Sequence, residues 1–310
     1  MDSEKWDAII LGGGSAGLSG ALMLARSRRR VLVIDEGAPR NRVADAMHGV
    51  LGRDGWSPLD LLATGRGEVE RYGGVVRRAS AAKAERGGAG FAVTLESGEV
   101  YTAGRVLVAT GLRDELPELP GLAEQWGVGV AHCPYCHGWE VRDQRIAVLS
   151  SGPMSIHQAQ LVRQLSDRVT YFPNGTSISG DERRALSARG IAVESRPVGA
   201  VVEEGGRLSG LRLRTGDLLP IDAVFVRPRA VPNDGHLLAL GAGTADAFGD
   251  GRWVTVDATG RTTVPGLWAA GNVVNPGATV PVAAAAGSTA GAMINADLVE
   301  EEIRTALAAG

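Results

Sequence analysis

Short apolar runs broken by glycine recur along this chain, and most are the length of a strand. Asp7-Ala8-Ile9-Ile10-Leu11 ends in glycines, the pattern of a buried parallel strand entering a tight turn. Residues 15–28 carry small and apolar side chains and predict a helix. Val31-Leu32-Val33-Ile34-Asp35 predicts a second strand, completing a βαβ unit. Arg28-Arg29-Arg30 is expected to end the helix, where cations complement its dipole. Further strands are expected at 91–96 and 105–109, the latter running into Ala109-Thr110-Gly111. Pro117, Pro120 and Gly121 punctuate a linker near 113–122. The pattern then repeats, with a strand at 145–149, a helix at 154–166 and a strand at 168–172. A glycine-rich stretch at 240–252 suggests a return crossing, and a long helix of small residues is expected from about 281. This echo predicts an α/β chain of two similar units, one inserted in the other. Residues 1–117 and 243–310 form the first, and 118–242 form the second.

Composition narrows the class. The chain has 310 residues, 44% hydrophobic and 22% charged, enough for two ordinary cores. A net charge of −3 supplies no basic field for nucleic acid or an anionic membrane, so neither is an expected partner. Met1-Asp2-Ser3-Glu4-Lys5-Trp6-Asp7 is polar and does not read as a signal peptide. The longest apolar stretches read as strand-sized or alanine-rich, short of a bilayer span. The expectation is a cytoplasmic protein, a setting in which paired cysteines are more often catalytic than structural.

Gly12-Gly13-Gly14-Ser15-Ala16-Gly17 forms GxGxxG between the first strand and the first helix. Gly12 permits the tight turn, Gly14 lets the backbone approach a pyrophosphate, and Gly17 allows close helix–strand packing. The helix start at Ser15 and Ala16 offers N–H groups and a positive dipole end to the phosphates. Asp35, or the adjacent Glu36, can accept ribose hydroxyls. Arg40-Asn41 and His48 follow the ribose-binding strand and are expected to line the cofactor, an ordinary loop role being the alternative.

Ala109-Thr110-Gly111 and Val264-Pro265-Gly266-Leu267-Trp268-Ala269-Ala270-Gly271-Asn272 resemble the second and third FAD signatures of flavoproteins with two dinucleotide domains, the thioredoxin reductases among them. The resemblance covers nearly the whole chain. It implies an α/β fold of two Rossmann-like dinucleotide-binding domains, FAD in the first, and a homodimer. It also implies that Thr110, Gly111, Gly271 and Asn272 hold FAD, and that the Val280 N–H meets the flavin pyrimidine edge, plain helix packing being the alternative. Family members end the last motif in Gly-Asp. Asn272 can still accept a hydrogen bond, without the charge-assisted contribution.

The chain's two cysteines stand together in Cys133-Pro134-Tyr135-Cys136-His137. The string matches the CxxCH of c-type haem attachment, and His132, Cys133, Cys136 and His137 could in principle bind zinc. Haem attachment would require export, and structural zinc draws on two separated ligand pairs where this chain has one. A pair of buried thiols is also conceivable, but a proline inside CxxC argues for a shaped turn. With a flavin expected, a redox dithiol fits best. Thioredoxin reductases carry their CxxC early in the middle domain, as here, with an acidic residue following. His137 occupies that position in this chain. A neighbouring imidazolium lowers a thiol pKa and can carry a proton. The resemblance implies that Cys136 faces the flavin C4a position, Cys133 exchanges with substrate, and His137 acts as acid and base, with His132 the other candidate. The full string Cys-Pro-Tyr-Cys-His-Gly-Trp-Glu resembles the FAD-dependent dithiol oxidases that close disulfides in natural products of the gliotoxin and holomycin type. Trp56, Trp126 and Trp139 are candidates for the walls of an apolar substrate pocket, or for plain core packing.

The second unit reads as a degenerate nicotinamide domain. Its strand ends Leu149-Ser150-Ser151-Gly152-Pro153-Met154-Ser155, with serine for the first glycine and a proline that has no N–H. The next strand is followed by Pro173-Asn174-Gly175-Thr176-Ser177, with no arginine for a 2′-phosphate until Arg183-Arg184. The expectation is a dithiol oxidase that takes electrons from a small-molecule dithiol and delivers them to O2, releasing H2O2. The rival readings are an NADPH-driven disulfide reductase and a flavin redox sensor.

Overall fold

The computed structural model describes residues 5–88, 90–249 and 251–310. Contacts divide the chain into two units, Met1–Arg42 with Ser57–Arg113 and Ala230–Gly310, and Val43–Trp56 with Asp114–Arg229. The expected boundaries differ in two respects. The return falls near 230 rather than 242, because the helix Gly235–Ala239 and the turn after it place Leu237, Leu240 and Ala242 in the core of the first unit. The segment 43–56 also groups with the inserted unit. No hydrophobic period marks it; the backbone of Val43 packs on Gly127, where a Cβ would sit 2.8 Å from its oxygen.

The first unit begins with β1 (Lys5–Leu11), α1 (Ser15–Arg26) and β2 (Val31–Asp35), the expected βαβ unit. Next come α2 (Pro58–Arg71), β3 (Val75–Arg78), β4 (Ala81–Gly87), β5 (Gly90–Leu95) and β6 (Val100–Val108). The sheet order is β3-β2-β1-β6-β5-β4, with β3, β2, β1 and β6 parallel. The start of β6 pairs antiparallel with β5. After β7 (Leu112–Glu115) the chain enters the inserted unit.

That unit holds β8 (Val130–Ala131), α3 (Pro134–His137), β9 (Ile146–Leu149), α4 (Met154–Val162), β10 (Val169–Phe172), α5 (Gly180–Ala188) and β11 (Ala192–Val193). An antiparallel trio follows, β12 (Val198–Glu204), β13 (Arg207–Leu213) and β14 (Leu218–Pro220), and then β15 (Ala223–Val226). The parallel order β11-β10-β9-β15-β8 puts the second βαβ, β9-α4-β10, at the centre of its sheet. β16 (Arg229–Pro232) leads back to α6 (Gly235–Ala239), β17 (Thr244–Asp246), β18 (Arg252–Val254), β19 (Leu267–Ala269) and α7 (Val280–Ala309). β19 pairs parallel with the end of β6 and extends the first sheet.

Both crossover helices stop short of their expected ends. α1 closes at Arg26, where the N–H and Oγ of Ser27 both donate to the Met23 carbonyl and Arg28 adopts a left-handed φ of 60°. Arg29 does not cap α1; its guanidinium bonds Asn295 and Glu302 on α7. The alanine-rich tail continues as one 30-residue helix, so the expectation of no span-length stretch does not hold: by length and composition α7 could cross a bilayer. Within the unit, α7 lies against α1 through Gly287 and Gly291, and its buried residues are Ala283, Gly287, Ala290, Gly291, Ile294 and Leu298.

This packing makes a paired prediction. A Cβ at Gly287 would lie 1.9 Å from the Ala16 carbonyl oxygen, against backbone that cannot yield, whereas one at Gly67 in α2 meets nothing within 4 Å. Gly287→Ala should cost about 2 kcal/mol or more by overpacking and reduce retained flavin. Gly67→Ala should add up to about 1 kcal/mol through helix propensity. Thermal unfolding of both variants, with flavin content measured, checks the contrast.

Candidate active site

The dinucleotide loop of the first unit is shaped by three contacts. Gly12 has φ of 101°, and a Cβ there would meet the Ala109 oxygen at 2.4 Å. A Cβ at Gly17 would lie 1.8 Å from the Gly12 oxygen, so the helix can sit on the turn only with glycine at both places. Gly13 N–H donates to Asp35 Oδ1 at 2.9 Å. Gly14 faces open space and begins α1 without a side-chain cap, leaving the first N–H groups at Ser15 and beyond for a ligand phosphate. The loop therefore fits a dinucleotide. One Asp35 oxygen is braced on the loop, and the adjacent Glu36 carboxylate is exposed. Arg40 and Asn41 lie in the 3-10 turn Arg40–Val43 that follows. Ala16 is a packing residue, 5% exposed, against the Cα of Gly271 and the backbone of Gly287.

Other parts of the cofactor reading are held from behind. Thr110 Oγ1 donates to the Asn233 oxygen at 2.7 Å, and Asn233 Nδ2 returns a bond to the Thr110 oxygen at 3.0 Å. Gly111 follows in a left-handed conformation, φ 71°. Asn233 has no sequence signal of its own. Asn272 Nδ2 donates to the oxygens of Asn275 and Ala278, both at 3.0 Å, and more weakly to Pro276 at 3.4 Å. These carbonyls fix which end of the amide is nitrogen and leave Oδ1 to accept from a ribitol hydroxyl. α7 then starts at Val280, after Thr279, with no side-chain cap on its N-terminal N–H groups.

The dithiol turn belongs to the inserted unit. Cys133 is the N-cap residue of α3, with Pro134 preset for the first helical position. Its carbonyl accepts from the N–H groups of Cys136 and His137, both at 3.1 Å. The two sulfurs approach to 2.6 Å, so oxidation to the disulfide asks little of the backbone. Gly138 keeps the turn tight, since a Cβ there would meet Leu165 Cδ1 at 2.2 Å and the Pro134 oxygen at 2.3 Å. On α4, Gln158 Nε2 donates to the His132 oxygen at 2.6 Å and fixes the approach to Cys133. Sequence reasoning missed Gln158, whose apolar-helix setting carries no motif.

His137 is half-buried. Both ring nitrogens are buried and have no hydrogen-bond partner among the described residues. Burial pushes its pKa below the ordinary 6.5; the Glu140 charge opposes this and the His48 charge adds to it. His48, expected along the cofactor, is placed here. Its Nε2 lies 3.3 Å from Glu140 Oε1 and its Nδ1 lies 3.2 Å from Asp54 Oδ2. Of the three tryptophans, Trp126 packs against the unit's core. Trp56 and Trp139 are exposed, each stacked by an arginine, Arg53 and Arg142, at 4.3 Å.

The loop after β9 is closed by its own side chains. Ser151 N–H donates to Ser155 Oγ at 3.0 Å, and Ser155 N–H donates to the Gly152 oxygen at 3.0 Å. Ser151 Oγ donates to the Arg227 oxygen at 2.7 Å, and Ser150 Oγ accepts from Thr176 at 2.8 Å. After β10, α5 opens with a Ser179–Glu182 capping box and with Asp181 paired to Arg184. The first turn of α5 therefore carries Asp181 and Glu182, and Arg184 is paired to one of them.

Asn272 is open to a direct test. Asn272→Asp replaces the donor with an oxygen facing the Asn275, Pro276 and Ala278 carbonyls. The expected cost is about 1–3 kcal/mol, read as a lower Tm and faster loss of FAD. An unchanged Tm and unchanged FAD retention would refute this role.

Comparison with known proteins agrees with this geometry. The sequence model of the family described as pyridine nucleotide-disulphide oxidoreductase matches residues 6–287. The chain is 31% identical over 311 residues to thioredoxin reductase tcpT of Claviceps purpurea (strain 20.1), covering 95% of each chain. It is 30% identical over 308 residues to thioredoxin reductase sirT of Leptosphaeria maculans, covering 94% of this chain and 93% of that one. Among solved structures, HlmI superposes with a TM-score of 0.94 at 45% identity, covering 98% of this chain and 96% of that one. The chain thus belongs to the pyridine nucleotide-disulphide oxidoreductase family, as a thioredoxin reductase-like thiol–disulfide oxidoreductase with FAD as its cofactor.

Proposed function

We propose that the protein is an FAD-dependent dithiol oxidase that closes an intramolecular disulfide in a small-molecule dithiol, with O2 as final acceptor. The observation that carries this reading is the self-closed loop after β9. The Ser151 N–H is engaged by Ser155 Oγ and the Ser155 N–H by the Gly152 oxygen, and Pro153 has none to offer. Electrons from a nicotinamide then have no evident point of entry, and the dithiol turn becomes the entry. The likeness of residues 133–140 to the gliotoxin- and holomycin-type oxidases supports the same direction and a natural-product substrate. The reading takes the enzyme as a cytoplasmic homodimer without nucleic-acid or membrane partners.

The chain's own residues supply the sulfur chemistry. A substrate thiolate attacks Cys133 Sγ of the Cys133–Cys136 disulfide; the S–S bond breaks and Cys136 leaves as thiolate. The second substrate thiol gives its proton to His137 and attacks the substrate sulfur of the mixed disulfide. Cys133 departs as thiolate, the substrate disulfide is complete, and two electrons rest on the enzyme pair. FAD, when bound, would supply the two-electron acceptor for the reduced Cys133–Cys136 pair and the O2 reactivity that yields H2O2. The net change is dithiol plus O2 to disulfide plus H2O2.

Two measurements test the reading. In anaerobic mixing, a reduced gliotoxin- or holomycin-type dithiol should bleach the flavin absorption and NADPH should not; air should then restore the colour with H2O2 equimolar to disulfide. Rapid bleaching by NADPH alone would make the protein a reductase. The second measurement is the pH profile of bleaching. A lowered pKa keeps the His137 ring neutral to a lower pH, so the acid limb should lie below the ordinary histidine value of 6.5. His137→Gln should erase that limb and slow the step by about 10²-fold.

A further inference from the structure

The loop that carries His48 makes an ion pair to the segment just after the dithiol turn. Gly49 N–H donates to Asp54 Oδ1 at 2.8 Å, which fixes the Asp54 carboxylate, and its other oxygen lies 3.2 Å from His48 Nδ1. The far side of the same ring reaches Glu140 Oε1 at 3.3 Å. An imidazole between two carboxylates can donate to both only as the imidazolium. Glu140 is near enough to His137 for its charge to act there, yet neither His137 nitrogen is hydrogen-bonded among the described residues. One oxygen of the Glu140 carboxylate is paired with His48 instead.

We propose that His48 is a positioning residue that draws the Glu140 carboxylate away from the His137 ring and so leaves that ring open to take a thiol proton. This rests on the reading of His137 as the proton acceptor above. A carboxylate bonded directly to His137 would hold it as a charged donor, and a charged donor cannot accept the proton of an incoming thiol. His48 opposes that state twice, by engaging Glu140 and through its own charge. Cys133 and Cys136 share the turn with His137, His132 stands just before it, and the packed helix α4 carries one further histidine, the exposed His157. Arg53 and Arg142 are turned onto Trp56 and Trp139.

The test separates this role from activity. Holoenzyme with 13C-labelled histidine ring carbons is titrated by NMR, the His137 signal being assigned by its loss in His137→Gln. In His48→Gln the His137 titration should move up by about one pH unit, and in the His48→Gln/Glu140→Gln double variant it should return to the wild-type position or below. The acid limb of anaerobic flavin bleaching should follow the same order. Unmoved titration in His48→Gln, or no return in the double variant with FAD content and Tm intact, overturns the proposal. Titration that moves as expected in an enzyme no dithiol can bleach would leave the role of His48 standing and sink the oxidase reading instead.

Discussion

Helices α1 and α7 meet backbone to backbone, and the cofactor site of the first unit depends on that contact. Gly287 sits on the Ala16 carbonyl and Gly291 on that of Gly20, distances no Cβ could occupy. The approach brings Gly271 against the Ala16 methyl, so the last FAD signature is packed onto the helix that follows the first. Two sequence-distant motifs are thus set by one interhelical contact. Polar clamps hold α7 in that place. Arg29 reaches Asn295 and Glu302 from the end of α1, and the buried Arg105 of β6 reaches Asp297 and Glu301. Glycine gives up side-chain burial at these positions and gains the short distance between the two helix backbones.

The two nucleotide-type loops then differ in a single currency, the backbone N–H. In the first unit Gly13 spends its N–H on Asp35 while Gly14 stays open and α1 carries no side-chain cap. In the inserted unit Ser155 supplies from within the chain what a phosphate would supply from outside. Backbone donors must be satisfied by something, and here a side chain four residues on satisfies the Ser151 N–H. The same economy explains Asn272. An aspartate there would have only acceptors to offer three carbonyls, whereas the amide donates to them and keeps an oxygen for the ligand.

Much of this was legible in the sequence, for identifiable reasons. Strand runs such as 31–35 and the GxGxxG loop are local patterns whose physics acts within a few residues, and they appear where expected. What escaped is tertiary. Asn233 behind Thr110 and Gln158 behind His132 are single polar residues whose partners lie far along the chain. The segment 43–56 follows a cofactor motif directly, which suggested a cofactor role for His48, yet it groups with the inserted unit through Val43 and Glu140. The ends of α1 and α4 shifted because a left-handed residue and a local turn, rather than loss of apolar period, terminate them.

The residue after the CxxC links these points to the direction of electron flow. A dithiol that accepts electrons must meet substrate thiols that still carry protons, and each sulfur–sulfur exchange needs those protons removed. An acidic side chain at that position, ionised at neutral pH and facing sulfur, disfavours a neighbouring thiolate by like charge. An enclosed imidazole held neutral takes the proton and, once charged, stabilises the thiolates that form. Burial of the His137 nitrogens and diversion of Glu140 onto His48 both push toward the neutral starting state. An inserted unit whose nucleotide loop bonds to its own serine and a dithiol turn furnished with a base are the two features on which we base our proposal that the sulfur pair receives electrons.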